Sequence, residues 1–358
     1  MRIAVFPGRY VQGVGVLKRF GVEAARLGHR VMMIVDNTLP GGTLDGLNPE
    51  GVTVMRYDVN PACTEAAIRS ASEKARQAGV DLIAGFGGGK VIDLGRASAD
   101  DLSLPYISVP TVAASDAPCS SLSVIYDNDD HVVQDRFVRK NPDLILVDSM
   151  VIAKAPERFF SAGIGDALAT FYEADACRRA GATNLCGGKG PQLAHAAARL
   201  CLDTVLEKGP AALAACRQNN PSPEFEDVLE ATILLSGLGF ESGGVAAAHA
   251  FHHGLADIAE THGALHGEKV AFGVLAELAL NDRSDAEILD LARFNQSVAL
   301  PVTLADVGID DTDSAIPRIA ARATRPGEII HNEPMRIDQA LAEAALRRAD
   351  QLGRRAGR

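Results

Sequence analysis

Residues 80–97, VDLIAGFGGGKVIDLGRA, decide the fold. The first eight read as a strand buried on both faces, an apolar run broken only by Asp81 and by small residues. Gly85, Gly87, Gly88 and Gly89 crowd its end, and from Lys90 onward the apolar positions recur at helical spacing. A strand that turns through glycine into a helix presents free backbone N–H groups at the helix N-terminus. Those groups attract a phosphate, and glycine removes the Cβ that would hold it off. The run is neither GxGxxG nor GxxxxGK[ST], so the ordinary dinucleotide fingerprint and the Walker loop are both absent. A pyrophosphate site is the reading; the plain alternative is a tight strand-to-helix turn.

Outward from this stretch the texture repeats. Upstream stand the strand-like RIAVF (2–6), a helical segment over 14–28, the strand RVMMIVD (30–36) and a helix over 63–79. Downstream follow the strand PYISVP (105–110), the hairpin-like SLSVIYDNDDHVV (121–133) and the strand DLILVD, which ends at Asp148. This β-α-β rhythm predicts an α/β domain over residues 1–155. After APERFF the β-branched runs become rare, and segments such as 190–209 and 224–244 carry helical spacing. Residues 156–358 therefore read as a helical domain, with breaks near 186–190, 219–223 and 308–312.

At 358 residues the chain exceeds what one core usually organises. A hydrophobic fraction of 47% and a charged fraction of 23% are those of an ordinary globular protein. The net charge of -11 repels polyanions, which argues against nucleic-acid and anionic-membrane partners and for a small molecule. The N-terminus lacks the pattern of a signal peptide, and no apolar stretch approaches the ~20 residues of a membrane span, so a cytoplasmic location is expected. The six cysteines show no CxxC spacing and read as free thiols; Cys119 stands out because it lies in a polar loop.

Three features carry chemistry. Asp36 ends the strand RVMMIVD, where a carboxylate can accept from an adenosine ribose and repel a 2′-phosphate, favouring NAD over NADP; capping or turn formation is the alternative. The loop PTVAASDAPCSSLSVIY (110–126) gathers Thr111, Ser115, Asp116, Ser120 and Ser121 beyond a strand end, where α/β proteins hold ligands, although such residues also simply make turns. In the helical half, five of the nine histidines, His249, His252, His253, His262 and His266, lie within eighteen residues. His249 and His253 have the spacing of half a zincin site, but position 250 is Ala, so the catalytic Glu of HExxH is missing. Histidines from two segments joined by a distant carboxylate such as Asp166 fit a metal with one open coordination position better.

Taken together and in order, GFGGGKVID, PTVAASDAPCSSLSVIY, AGIGDALATFYEA, SGLGFESGGVAAAHAFHHGL and HGEKVAFG resemble the iron-containing alcohol dehydrogenase superfamily, and within it the glycerol dehydrogenases. The resemblance implies a Rossmann-like parallel-sheet domain, an all-helical domain, and an active site in the cleft between them, as in the dehydroquinate synthase-like fold. By motif it places Asp166, His249 and His266 on the zinc ligands and His252 and His253 beside them. It places Gly87, Gly88, Gly89, Lys90 and Asp93 around the NAD phosphates, Asp36 at the adenosine end, and Thr111, Ser120, Leu122 and Tyr126 on other cofactor contacts. Asp116 falls on the substrate contact, and the proton is expected to leave through bound water or His252. Thr170 stands where iron-type relatives carry a fourth ligand, which favours one zinc ion per subunit. Two positions depart from the pattern: Ala114 replaces the usual hydroxyl residue, and His253 stands where many relatives have Asn. The implied reaction is NAD-dependent oxidation of glycerol or another vicinal diol by a homo-oligomer, an octamer by resemblance. Sibling cyclases and glycerol-1-phosphate dehydrogenases need a basic pocket for a substrate phosphate, and a non-catalytic NAD- or metal-binding paralogue is the remaining alternative.

Overall fold

Eight strands are present in the computed structural model, which describes residues 1–129 and 131–357: β1 (Tyr10–Gly13), β2 (Arg30–Asp36), β3 (Thr53–Val59), β4 (Leu82–Gly87), β5 (Tyr106–Pro110), β6 (Leu122–Tyr126), β7 (Val132–Phe137) and β8 (Leu144–Asp148). Asp130, inside the expected hairpin, and Arg358, the end of the expected helical domain, lie outside the described residues. Six strands form one parallel sheet in the order β1-β8-β5-β4-β2-β3, while β6 and β7 pair as a separate antiparallel ribbon. β4, β5 and β8 are buried along their whole length and β2 nearly so, as the continuous apolar runs of an interior parallel strand require.

The helices of the first half are α1 (Phe20–Ala24), α2 (Glu65–Ala78), α3 (Gly89–Leu102) and α4 (Ser149–Ala153). Beyond Asp148 no strand occurs among the described residues; there follow α5 (Glu157–Ala180), α6 (Gln192–Arg217), α7 (Pro223–Glu230), α8 (Ser236–Gly243), α9 (Ala247–Ala256), α10 (His266–Leu280), α11 (Asp285–Ser297), α12 (Thr312–Ala323) and α13 (Gln339–Ala356). The helical spacing over 224–244 is realised as α7 and α8 joined by a π turn at Ala231–Leu235. No single helix among the described residues is long and apolar enough to cross a membrane.

Two expectations need correcting. RIAVF is not a sheet strand: Arg2 bridges to Lys189, Ile3 N donates to Lys189 O at 3.2 Å, and Val5 N donates to Ser242 Oγ at 3.1 Å. Pro7 cannot donate to a ladder, and the sheet edge is taken instead by Tyr10–Gly13, which pairs with Ile145–Asp148. The segment thus belongs physically to the helical half. Conversely β3 is a strand that the apolar pattern hides, because TVMRYDV is an edge whose side chains alternate between exposed and half-buried. The helix expected over 14–28 is reduced to a 3-10 turn at Val16–Arg19 followed by α1.

One apolar cluster packs on each sheet face, centred on Phe20, Met33 and Phe86 on one side and on Met32, Ile34 and Ile68 on the other. The helical core is a third cluster, and it takes in Ile145, Val147, Ala113 and Cys119 from the first half, so the halves share apolar packing at the base of the cleft.

Candidate active site

The chain runs outward from β2 to β3 and then returns to lay β4 on the other side of β2. Where a parallel sheet reverses direction in this way, a crevice opens beyond the carboxyl ends of the strands. Asp36 ends β2 and Gly87 ends β4, one on each side of that point. A Cβ on Gly87 would lie 2.7 Å from Val91 Cβ and 3.1 Å from Asp36 Cβ, so this glycine permits the strand, the helix and Asp36 to approach one another. Gly88 and Gly89 serve differently. A Cβ at Gly88 meets only Val112 Cγ2 at 3.3 Å and one at Gly89 only Ala117 Cβ at 3.9 Å, which leaves the mouth of α3 clear for a ligand. Gly88 is the N-cap and has no side chain to satisfy the first turn.

The other residues expected at the cofactor divide into two groups. Asp36 Oδ1 accepts from Thr38 N at 2.8 Å and from Thr38 Oγ1 at 2.6 Å, which fixes the carboxylate at the crevice edge. Thr111, at the end of β5, is 3% exposed, and its Oγ1 has no partner among the described residues; a buried hydroxyl without a partner is a fit for a bound ligand. Lys90 Nζ sits 5.0 Å from the centre of the Tyr126 ring. Ser120 Oγ accepts from Leu122 N at 3.4 Å, inside the loop. Asp93 faces away from the crevice. Its carboxylate accepts from Arg96 at 2.8 Å and from Val124 N at 3.1 Å, and burial, opposed by Arg96, pushes its pKa up to about 6. Fully buried Arg96, which sequence reasoning passed over, also donates to the carbonyls of Ala117 and Leu122 and so ties the polar loop to α3. Burial pushes the Cys119 thiol well above its usual range, and it packs as an inert core group against Gly237.

On the opposite wall, α5 and α10 meet backbone to backbone. A Cβ on Gly165 would fall 2.4 Å from Gly267 O, and one on Gly267 would fall 1.8 Å from Ala162 O. α9 approaches α10 as closely, since a Cβ on Gly273 would lie 2.4 Å from Ala248 O. These contacts bring three side chains to one point. Asp166 Oδ1 lies 3.0 Å from His266 Nε2 and 3.5 Å from His249 Nε2, and one ligand atom from each residue lies within 4.8 Å of the others. Burial disfavours ionised Asp166, yet the His266 and His249 imidazoles hold its pKa below the usual carboxylate range. Two imidazole nitrogens aimed at one carboxylate oxygen form a donor set that fits a divalent cation with an open coordination position.

Each donor has its own support. Glu173 takes His249 Nδ1 at 2.6 Å, and His252 Nε2 lies 3.1 Å from His266 Nδ1. His253 is turned away to Glu328 at 3.1 Å, which closes the HxxxH reading. The sheet half reaches the same point through Asp116, whose N donates to Asp166 Oδ2 at 3.2 Å and whose Oδ2 accepts from Ser236 Oγ at 2.8 Å. Thr170 Oγ1 is 2.8 Å from Ser236 Oγ and so supports the serine that holds Asp116. Burial and the Asp166 charge push the Asp116 pKa up to about 8; a cation between them would reverse the second contribution. Glu173 and Ser236 were not singled out from the sequence. Glu173 had a signal, because it follows Asp166 by two helical turns and shares its face.

Comparison with known proteins gives a consistent pattern. Residues 7–149 match the family described as iron-containing alcohol dehydrogenase. The chain is 42% identical to a glycerol dehydrogenase of Thermotoga maritima across 98% of its own length and 97% of that protein. It is 39% identical to a glycolaldehyde reductase of Halobacterium salinarum, covering 98% and 97%. The crystal structure of glycerol dehydrogenase from Schizosaccharomyces pombe superposes with a TM-score of 0.92 at 33% identity, covering 99% of this chain and 92% of that one.

Proposed function

Because this chain belongs to the iron-containing alcohol dehydrogenase family, on its glycerol dehydrogenase side, we propose that it oxidises glycerol or a closely related vicinal diol to the hydroxyketone with NAD. It is an NAD-dependent, metal-using alcohol oxidoreductase. The observation that carries the reading is the convergence of Asp166, His249 and His266 opposite the glycine-lined mouth of α3. In this reading residues 1–155 hold the dinucleotide, and residues 156–358 hold one zinc ion through those three side chains; Thr170 in place of a fourth ligand favours zinc. When bound, the cation supplies Lewis acidity toward the substrate hydroxyl and the nicotinamide supplies the hydride acceptor.

The chain's own residues do the rest. Backbone N–H groups at the start of α3 receive the pyrophosphate, Asp36 the adenosine ribose, and Thr111 Oγ1 a polar group of the cofactor. Lys90, Ser120, Leu122 and Tyr126 complete that wall, and Asp93 acts through Arg96 by holding the strand that carries Leu122 and Tyr126. Asp116, secured by Ser236, orients a second substrate hydroxyl, which is why a diol is preferred over a simple alcohol. His252 Nε2 is engaged with His266, so His252 orients that donor and the hydroxyl proton leaves through water in the cleft.

Glycerol, propane-1,2-diol, butane-2,3-diol, ethanol and hydroxy acids, each assayed with NAD in zinc-replete buffer, test this reading. NADH formation is expected to be fastest with the vicinal diols, and silence on all of them sinks it. Asp36→Gly is expected to narrow the preference for NAD over NADP by about 10–100-fold, the worth of a charge-assisted hydrogen bond plus relief of repulsion. Unchanged discrimination in kcat/KM ratios would remove Asp36 from the ribose. We further propose a cytoplasmic homo-oligomer, an octamer. Leu193 and Leu200, seven residues apart on α6 and 59% and 55% exposed, offer an apolar stripe to a second copy, and light scattering of the purified protein reads the mass.

A further inference from the structure

α9 begins at Ala247 behind its N-cap Ala246, and no side chain of its own caps it. An uncapped helix end buried in a core leaves four N–H groups to satisfy. A glutamate from elsewhere supplies the acceptor. Glu173 Oε1, from α5, accepts from Ala246 N at 2.9 Å and His249 N at 2.8 Å. Glu277, from α10, and Glu333 are buried close by, and burial raises the pKa of both, joined at Glu277 by repulsion from Glu333 and at Glu333 by repulsion from Glu173. All three carboxyls are at most 3% exposed. Glu173 stands apart from that pair: its second oxygen lies 2.6 Å from His249 Nδ1.

We propose that Glu173 is a positioning residue for the metal site, setting both the direction and the tautomer of His249 by holding its Nδ1–H, so that the Nε2 lone pair faces Asp166. The assignment rests on the cation site proposed above. The geometry constrains it tightly. Glu173 already accepts two backbone donors through Oε1, so the carboxylate cannot rotate without abandoning α9. With a cation taking the Nε2 lone pair, the hydrogen in the 2.6 Å contact lies on the imidazole Nδ1. With Nδ1 protonated, a neutral ring carries its lone pair on Nε2, the atom 3.5 Å from Asp166 Oδ1. One side chain thus fixes the helix end and the donor atom together, and a carboxylate behind a ligating imidazole also raises that ligand's basicity.

The decisive variant is Glu173→Gln, which keeps shape and volume. Its amide oxygen can serve Ala246 N and His249 N, but its NH2 then faces Nδ1 and forces the imidazole proton onto Nε2, where it blocks the cation. Glu277→Gln is the matched control. It replaces a buried carboxyl whose pKa burial and Glu333 push up, leaves the His249 contact intact, and is expected to bind zinc within a few-fold of the parent. Zinc affinity of the dialysed full-length protein is measured by competition with a chromophoric chelator, beside its metal-free melting temperature. Glu173→Gln is expected to weaken zinc about 10–100-fold at nearly unchanged metal-free melting temperature. Parent-like affinity in Glu173→Gln, or an equal loss in Glu277→Gln, overturns the proposal. Failure of the parent protein itself to take up one zinc instead overturns the cation site on which it rests.

Discussion

His266→Ala is expected to leave the dialysed protein without stoichiometric zinc and to lower kcat/KM for glycerol by about 10³-fold or more, the loss that follows when several kcal/mol of charge stabilisation disappear. The position explains the size of the effect. His266 is the first residue of α10, with its ring at the mouth of the cleft, and its Nε2 is the donor nearest the buried Asp166 oxygen. Without it, Asp166 keeps only His249 at 3.5 Å, and two donors do not hold zinc in a site that must also leave room for substrate. Metal analysis and NADH formation read the two consequences separately. Retention of both zinc and rate would remove this cluster from the reaction.

The second large effect comes from a residue with no side chain. Gly267→Ala puts a Cβ 1.8 Å from the carbonyl oxygen of Ala162, an overlap that neither backbone can absorb locally. α5 must withdraw from α10, at about 3 kcal/mol or more, the upper end of what overpacking costs. Ala162 lies one helical turn before Asp166, so the same withdrawal draws the carboxylate away from His266. A melting temperature lower by about 5 °C or more is expected together with weakened zinc binding. Gly263→Ala is the control, since nothing lies within 4 Å of its Cβ, and it should change neither. A Gly267→Ala protein that melts and binds zinc as the parent does would mean that the α5–α10 approach is not what assembles the site.

Residues 80–97 show how far a local pattern reaches. Burial on both faces of β4 and the start of a helix at Gly89 are written in the apolar run and the glycines, so this part of the fold is legible. β3 is not, because an edge strand needs few apolar side chains and TVMRYDV carries an arginine and an aspartate. RIAVF errs the other way: its apolar residues are those of a strand, but Pro7 and the competing edge at Tyr10–Gly13 send it to Lys189 and Ser242. In the site, residue chemistry gathered five histidines and a distant carboxylate and the family resemblance picked Asp166, His249 and His266 from them, whereas their meeting depends on Gly165, Gly267 and Gly273, whose purpose appears only once helices are packed. Arg96 and Glu173 were hidden for the same reason. A charged residue inside a helix reads as a solvated face until the structure shows what surrounds it.

Because residues 1–5 are stitched to Lys189, Asn184 and Ser242, the polypeptide passes between the two halves twice, once near Pro7–Arg9 and again between Asp148 and Glu157. A body held by two covalent links has one inexpensive freedom, a swing about the line that joins them. A rotation of one half against the other would therefore pivot on these two crossings, and the bond from Asp116 N–H to Asp166 at 3.2 Å lies among the contacts it would have to break.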